Sequence, residues 1–255
     1  MQQSIVIIGI GEMAGVFARG FLRAGYPVIP VTRTANMAEI AVQTPQPALV
    51  LVAVTENDLH TVLEKMPLQW QKNLALLQNE LLPKDWQRHA LVDPTIISVW
   101  FEKKKGMDFK VIIPSPVYGP NAKLVSEALG TLSIPCNIIQ HTNELLYELV
   151  RKNVYILTTN IAGLRTGGNV STLWEKHESF ARDVAAEVIA IQEWLSDTTL
   201  DHQQLINGML EAFEGDPDHS CTGRSAPARL QRIMQQARAA DIAVPTLEKI
   251  HAQIK

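Results

Sequence analysis

The chain has 255 residues, 46% of them hydrophobic and 19% charged, with a formal net charge of −3. That length makes one large domain or two modest ones, either able to bury a core, and the charge gives no general attraction to nucleic acid or anionic membrane. Aromatic residues are few and not interleaved with a basic stripe, which argues further against nucleic acid, and no segment approaches the roughly 18 apolar residues of a membrane span.

Ser4-Ile5-Val6-Ile7-Ile8 is an apolar, partly β-branched run that suits a strand buried on both faces. No basic region precedes it, so it is not expected to be a signal peptide. It leads directly into Gly9-Ile10-Gly11-Glu12-Met13-Ala14, a G-x-G-x-x-A turn opening a helix. Gly9 lets the chain turn off the strand, Gly11 has no Cβ to hold a pyrophosphate away, and Ala14 permits close helix–strand packing. The free N–H groups at the helix start then face an anion. Val16, Phe17, Phe21 and Leu22 supply apolar helical positions, Gly25 ends the helix, and Val28-Ile29-Pro30-Val31 begins a second strand. The three elements form one βαβ unit. An NAD-preferring site usually carries Asp or Glu at the end of that second strand, where this chain has Thr32, Arg33 and Thr34. Those groups suit a 2′-phosphate, so NADP is preferred over NAD.

Asn36 to Ala41 reads as a short helix, and Ala48 to Val54 as another fully apolar strand. That strand ends at Thr55-Glu56-Asn57-Asp58, where Asn57 or Asp58 can cap a helix through Glu64. The next strand is Leu74 to Leu77, ending at Gln78-Asn79. Strands alternating with helices predict a doubly wound, mostly parallel sheet, whose ligands bind outside the carboxyl ends of the strands. Gly9, Thr32, Thr55 and Asn79 all lie at such ends. From Leu91 to Gln140 the pattern turns to short strands. Ile96 to Phe101 and Val111 to Ile113 flank Lys103-Lys104-Lys105-Gly106, which reads as a solvated hairpin tip rather than a phosphate patch. Pro114, Pro116 and Pro120 stiffen the following link, Leu124 to Leu132 is helical, and Asn137 to Ile139 is a closing strand.

After His141 the chain reads as almost entirely helical. Thr142 or Asn143 caps a long helix from Glu144 to Leu164, and further helices fall at 173–196, 201–213, 226–240 and 246–254. The expected architecture is a Rossmann-type α/β domain over 1–141 followed by an all-α domain over 142–255. On the long helix, Leu145, Leu149, Val150, Leu157 and Ile161 form the buried stripe, and Lys152 lies on its flank. Pattern alone makes Lys152 a surface residue paired with Glu148. Asn160 stands within the apolar face, as a core hydrogen-bonder or as a ligand contact, since a buried amide needs partners. Cys136 and Cys221 lack paired-motif spacing and read as free thiols in a reducing cytoplasm. The seven histidines are scattered, so no metal site is expected. Ser98, Ser115 and Ser220 lie in no nucleophile-elbow sequence.

Taken together, Gly9-x-Gly11-x-x-Ala14, Arg33 after the second strand, Asn79 after an apolar strand, Arg151-Lys152 with Asn160 eight residues on, and Asp241-Ile242-Ala243-Val244-Pro245 resemble ketopantoate reductase (2-dehydropantoate 2-reductase), a family of the 6-phosphogluconate dehydrogenase-like superfamily. The resemblance implies a Rossmann domain joined to a helical domain, NADPH as cofactor, and hydride transfer to the ketone of a small 2-oxo acid. It implies that Lys152 is the general acid, that Asn79 lies at the nicotinamide and substrate, and that Asn160 and Ser220 bind substrate. The cofactor would be held by Gly9, Ile10, Gly11, Glu12, Met13, Ala14, Thr32, Arg33, Thr34, Thr55 and Asn79.

The sequence also departs from that family. Ile156 stands where the family has a second asparagine, Thr55 where it has a lysine, Glu80 where a glycine follows Asn79, and Ser225 near the position of a substrate-binding glutamate. A hydroxyl does not replace a carboxylate that receives hydrogen bonds from substrate. The substrate therefore need not be ketopantoate. Two other readings use the same motifs: a 3-hydroxyacid or prephenate-type dehydrogenase, a group whose C-terminal helices commonly make homodimers, and a non-catalytic NADP-binding sensor or scaffold. The sensor would have no use for Lys152.

Overall fold

The computed structural model describes residues 3–253. They form two compact units, a first ending at Glu148 and a second beginning at Leu149. The first unit opens with β1 (Ile5–Ile8), α1 (Glu12–Arg23), β2 (Val28–Val31), α2 (Met37–Gln43), β3 (Leu49–Val52), α3 (Leu59–Glu64), a 3₁₀ turn over Leu68–Asn73, and β4 (Leu74–Leu76). It continues through α4 (Pro83–Gln87), β5 (Thr95–Ile97), β6 (Phe101–Lys103), β7 (Phe109–Val111), β8 (Ser115–Tyr118), α5 (Ala122–Gly130) and β9 (Cys136–Ile138).

Seven strands make one sheet in the order β2-β1-β3-β4-β5-β8-β9. All neighbours are parallel except β5 and β8. Every residue of β1 and β3 is buried, as expected of strands covered on both faces. One face of the sheet, presenting Ile5, Ile7, Leu49, Leu51 and Val117, packs with Phe17 and Phe21 of α1 and Val125, Ala128 and Leu129 of α5. The two helices approach closely at Gly20, where a Cβ would come to 2.8 Å from the Ala128 carbonyl.

The Leu91–Gln140 region holds five strands, two more than the three that the sequence pattern suggests. Ser115–Tyr118 is β8, an interior strand, although Pro116 has no N–H to give a ladder. The fold accommodates it because Pro116 lies opposite Ser98, just past the end of β5, and accepts the Ser98 N–H at 2.9 Å. The apolar run from Ile96 to Phe101 also divides. Its first part joins the large sheet, and its last residue begins the β6–β7 hairpin, where Phe101 pairs with Val111.

In the second unit the long helix α6 (Thr142–Thr166) is followed by α7 (Val170–Ser196), α8 (His202–Gly215), α9 (Ala226–Ala240) and α10 (Pro245–Gln253). Asn169 caps α7 through the Thr172 N–H, and Asp201 caps α8 through the Gln204 N–H. From Leu149 to Gly163, α6 is buried at every position except Ile156, which is half-buried. It is therefore a central helix, enclosed on all sides, rather than a helix with one apolar stripe. Its neighbour in space is the loop at 219–223, since the Cys221 N–H bonds the Gly168 carbonyl at 3.0 Å and a Cβ on Gly163 would run into the Cys221 carbonyl.

Backbone rather than a flexible side chain blocks Gly163, so Gly163→Ala is expected to destabilise the protein by about 3 kcal/mol, the upper end of overpacking costs. The check is a urea denaturation series. A midpoint equal to that of the unsubstituted protein would mean that the loop does not lie against α6.

Candidate functional site

Parallel pairing sets Ile8 beside Val31 and Val52, and Val52 beside Leu76. The residues after these four strands therefore leave the sheet along a single edge. Because β1 lies between β2 and β3, the order in which strands are added to the sheet reverses there, and open α/β sheets bind ligands at such a switch point.

The glycine turn is shaped by contacts that only glycine permits. Gly9 has φ +88°, and a Cβ there would lie 2.7 Å from the Ala53 carbonyl oxygen, so β1 and β3 approach at backbone distance. Gly11, by contrast, has nothing within 4 Å of where its Cβ would be. It is the N-cap of α1 in extended conformation, and no side chain caps the helix. An uncapped helix start beside open space fits an anionic group such as a pyrophosphate. A cavity of about 480 Å³ lies along this turn, lined by Ile10, Gly11, Glu12, Gly15, Arg19 and Lys103 among others.

Glu12 places a carboxylate at that same helix start, where the helix dipole stabilises it. Its Oε2 lies 3.2 Å from Lys103 Nζ. Lys103 also donates to the carbonyls of Lys104 and Met107 in the hairpin turn. The lysine run is thus not uniformly solvated: the Lys103 side chain is 19% exposed against 57% for Lys104. The hairpin holds Lys103 against α1.

Side chains join the other strand ends. Arg33 Nη2 lies 3.4 Å from Asp58 Oδ2, which also accepts the Thr55 hydroxyl at 2.9 Å. The Thr32 and Thr34 hydroxyls are 3.2 Å apart. Asn79 donates to Glu56 Oε1 at 3.1 Å, tying the end of β4 to that of β3, and Gln78 donates to the Val52 carbonyl at 2.6 Å. Asp58 makes no side-chain cap on α3 and spends its carboxylate on Arg33 and Thr55 instead. The Arg33 side chain is 89% exposed, so its ion pair with Asp58 is weak and a stronger anion can compete for it.

In the second unit, Lys152 is buried, at 9% exposure, and is not the surface residue that the helical pattern suggests. Its position follows from the enclosure of α6. Burial lowers its pKa to about 7, helped by the charges of Arg229 and then Arg151. Arg151 is itself held by the Gly208 carbonyl and by Glu211, both at 2.9 Å. Two turns further along α6, Asn160 accepts a hydrogen bond from Arg229 Nη1 at 2.7 Å. A Cβ added at Gly223 of the neighbouring loop would lie 3.8 Å from the same Asn160 oxygen. Ser220 is exposed in that loop, bridges Asn169 and donates to the Thr222 carbonyl at 3.3 Å. Ser225 is also exposed, at the start of α9.

The sequence reading omitted Arg229. It falls three residues after Ala226 and four before Ile233, within the buried face formed by Ala226, Leu230, Ile233 and Ala237. A lone arginine on an apolar helix face was the available signal. Asp58, Glu56 and Lys103 left weaker traces, because their roles depend on partners distant in sequence.

No protein-family model matches the chain, and no curated protein matches its sequence. Its fold nevertheless matches solved structures over nearly its whole length. A ketopantoate reductase from Ralstonia eutropha JMP134 is 17% identical with a TM-score of 0.69, covering 98% of this chain and 97% of that one. A dimeric ketopantoate reductase from Staphylococcus aureus is 14% identical with a TM-score of 0.66, covering 98% and 96%. A D-mandelate dehydrogenase solved with NADH and anilino(oxo)acetate is 14% identical with a TM-score of 0.68, covering 98% and 96%. The chain has the ketopantoate reductase fold: a parallel-dominated sheet with helices, followed by a mostly helical region.

Asn160→Ala removes the acceptor of a buried, charge-assisted hydrogen bond and is expected to cost about 1.5–3 kcal/mol of stability. Equilibrium unfolding measures this. A change within error would show that the Arg229 guanidinium does not depend on Asn160.

Proposed function

We propose that the protein is an NADPH-dependent reductase of 2-oxo acids, related in mechanism to ketopantoate reductase. The observation that carries the reading is Lys152, an amine buried on the central helix with a pKa near neutrality. Its support is the fold shared with reductases and the open glycine turn of the first unit. A protein that only sensed NADP would have no use for such a lysine.

In this reading the backbone of Gly9 to Ala14 holds the cofactor pyrophosphate, with Ile10, Glu12 and Met13 bordering it. Thr32, Arg33 and Thr34 receive the 2′-phosphate, and Arg33 exchanges its weak partner Asp58 for that dianion. Thr55 and Asn79 border the cofactor at the ends of β3 and β4, and the Asn79–Glu56 bond sets the orientation of the amide. When bound, NADPH would supply the hydride that the ketone carbon receives. Negative charge then develops on the ketone oxygen, where the Lys152 ammonium stabilises it and delivers a proton, giving the 2-hydroxy acid. A pKa near 7 leaves the lysine able both to give up and to regain that proton near neutral pH. Asn160 and Ser220 contact the remainder of the substrate. Pantoate chemistry itself is not part of the proposal, because Ser225 offers no carboxylate. Pairing of two copies is, supported by the dimeric S. aureus reductase, and a single-chain mass in sedimentation would remove it.

Three outcomes are expected. Arg33→Ala weakens NADPH binding roughly 10- to 100-fold, the worth of a charge-assisted bond, and leaves NADH binding unchanged; equal losses for both cofactors in calorimetry would contradict the assignment. Lys103→Met weakens NADPH binding by releasing the Glu12 carboxylate beside the pyrophosphate, and adding Glu12→Gln restores it; absence of that rescue removes Lys103 from the account. The proton-donating form of Lys152 is lost as pH rises through about 7. The rate of ketone reduction therefore falls above that pH, while oxidation of the 2-hydroxy acid rises, and Lys152→Ala lowers reduction about 10²- to 10⁴-fold at neutral pH. A reduction rate flat from pH 6 to about 9 would exclude Lys152 as the acid.

A further inference from the structure

Resting on that reading, the first unit holds an acid at the place where it holds the cation for the 2′-phosphate. In dinucleotide sites built on a glycine turn, the group that follows the second strand meets the 2′ position of the adenosine ribose. A carboxylate there accepts the hydroxyl of NAD, and an arginine accommodates the phosphate of NADP. Arg33 stands at that place, just past β2. Asp58 reaches the same place from the loop after β3, with its Oδ2 3.4 Å from Arg33 Nη2. The loop fixes this carboxylate without help from the arginine. The Asp58 N–H closes a turn on the Thr55 carbonyl at 3.0 Å, and the Thr55 hydroxyl donates to Oδ2 at 2.9 Å. Asp58 is therefore held by its own loop, at 47% side-chain exposure, whereas the Arg33 side chain is 89% exposed. Neither contact uses Oδ1, and Asp58 makes no side-chain cap on α3.

The two groups answer different dinucleotides. A ribose 2′-hydroxyl donates to a carboxylate, a charge-assisted bond that Asp58 can accept. A 2′-phosphate carries only acceptors and negative charge, so Arg33 attracts it and Asp58 repels it. Both groups face water, which keeps each effect modest, and neither outweighs the other enough to exclude one dinucleotide. We infer that Asp58 is a specificity-determining residue of the cofactor site: its carboxylate accepts the ribose hydroxyl of NADH and opposes the 2′-phosphate of NADPH, so that the protein binds both. Arg33 serves the phosphorylated cofactor and Asp58 the other. Thr55 is the positioning residue that keeps the carboxylate in place.

The test is calorimetric titration of NADH and NADPH into the full-length protein without substrate, so that it reads affinity rather than turnover. The unsubstituted protein is expected to bind both. Asp58→Ala is expected to weaken NADH binding about 3- to 10-fold and to tighten NADPH binding by a similar factor, as befits solvent-facing charges. Opposite shifts are the signature, because a merely structural role would move both affinities the same way. Asp58→Asn keeps an acceptor and removes the charge. It is expected to retain the NADPH gain with a smaller NADH loss, and it keeps the test open should the alanine variant not fold. The NADPH gain should also shrink as salt screens the repulsion. Shifts of one sign for both dinucleotides, no shift, or binding of NADPH alone by the unsubstituted protein overturns the inference and leaves the reductase reading standing. Binding of neither dinucleotide overturns both.

Discussion

A charged amine taken out of water costs several kcal/mol unless something offsets it, and the second unit bears that cost at Lys152. The requirement reaches through the whole helical unit. α6 must be enclosed to remove the lysine from solvent, and it is buried on nearly every face from Leu149 to Gly163. Enclosure then makes partners valuable to the polar groups on that stretch, although the Thr158 hydroxyl has none among the described residues. Asn153 donates to Gln192 at 2.9 Å, Thr159 turns back to the Tyr155 carbonyl, and Arg151 reaches Gly208 and Glu211. Gly163 completes the arrangement by letting the 219–223 loop lie against the helix. Lowering of the lysine pKa is thus a property of the packing rather than of a single neighbour.

In the proposed reading the first unit meets a different demand. A pyrophosphate needs backbone N–H groups that no side chain already occupies, and α1 begins without a cap at a glycine facing open space. The same opening carries Glu12, whose charge opposes an incoming phosphate unless Lys103 neutralises it. Arg33 is arranged in the same manner. Asp58 keeps it near the strand edge by a solvated ion pair, which contributes little and leaves the guanidinium exposed.

Local signals in the sequence were strong wherever the structure is locally determined. The β1–α1–β2 unit was legible because its glycines have local causes: Gly9 sits at backbone distance from Ala53, and Gly11 opens an uncapped helix start. Helices from α6 to α10 were legible in existence, with ends displaced by a few residues. β8 was not, because Pro116 argues against an interior strand and only its partner Ser98, at the end of β5, makes that position harmless. Lys152 looked like a surface residue because periodicity assumes a helix with one wet face, whereas α6 has none over its central turns. Arg229 was hidden in the opposite way: its place on the apolar face of α9 was readable, but its meaning depends on Asn160, which lies 69 positions away.

The most direct measurement is a single-turnover experiment with protein in excess of NADPH, mixed with a panel of 2-oxo acids and followed by nicotinamide absorbance, with the product tested for the matching 2-hydroxy acid. The account predicts tight NADPH binding and a stoichiometric loss of reduced nicotinamide matched by one 2-hydroxy acid. Bound NADPH that survives every 2-oxo acid would contradict it, leaving a nucleotide-binding protein whose buried lysine serves some other end.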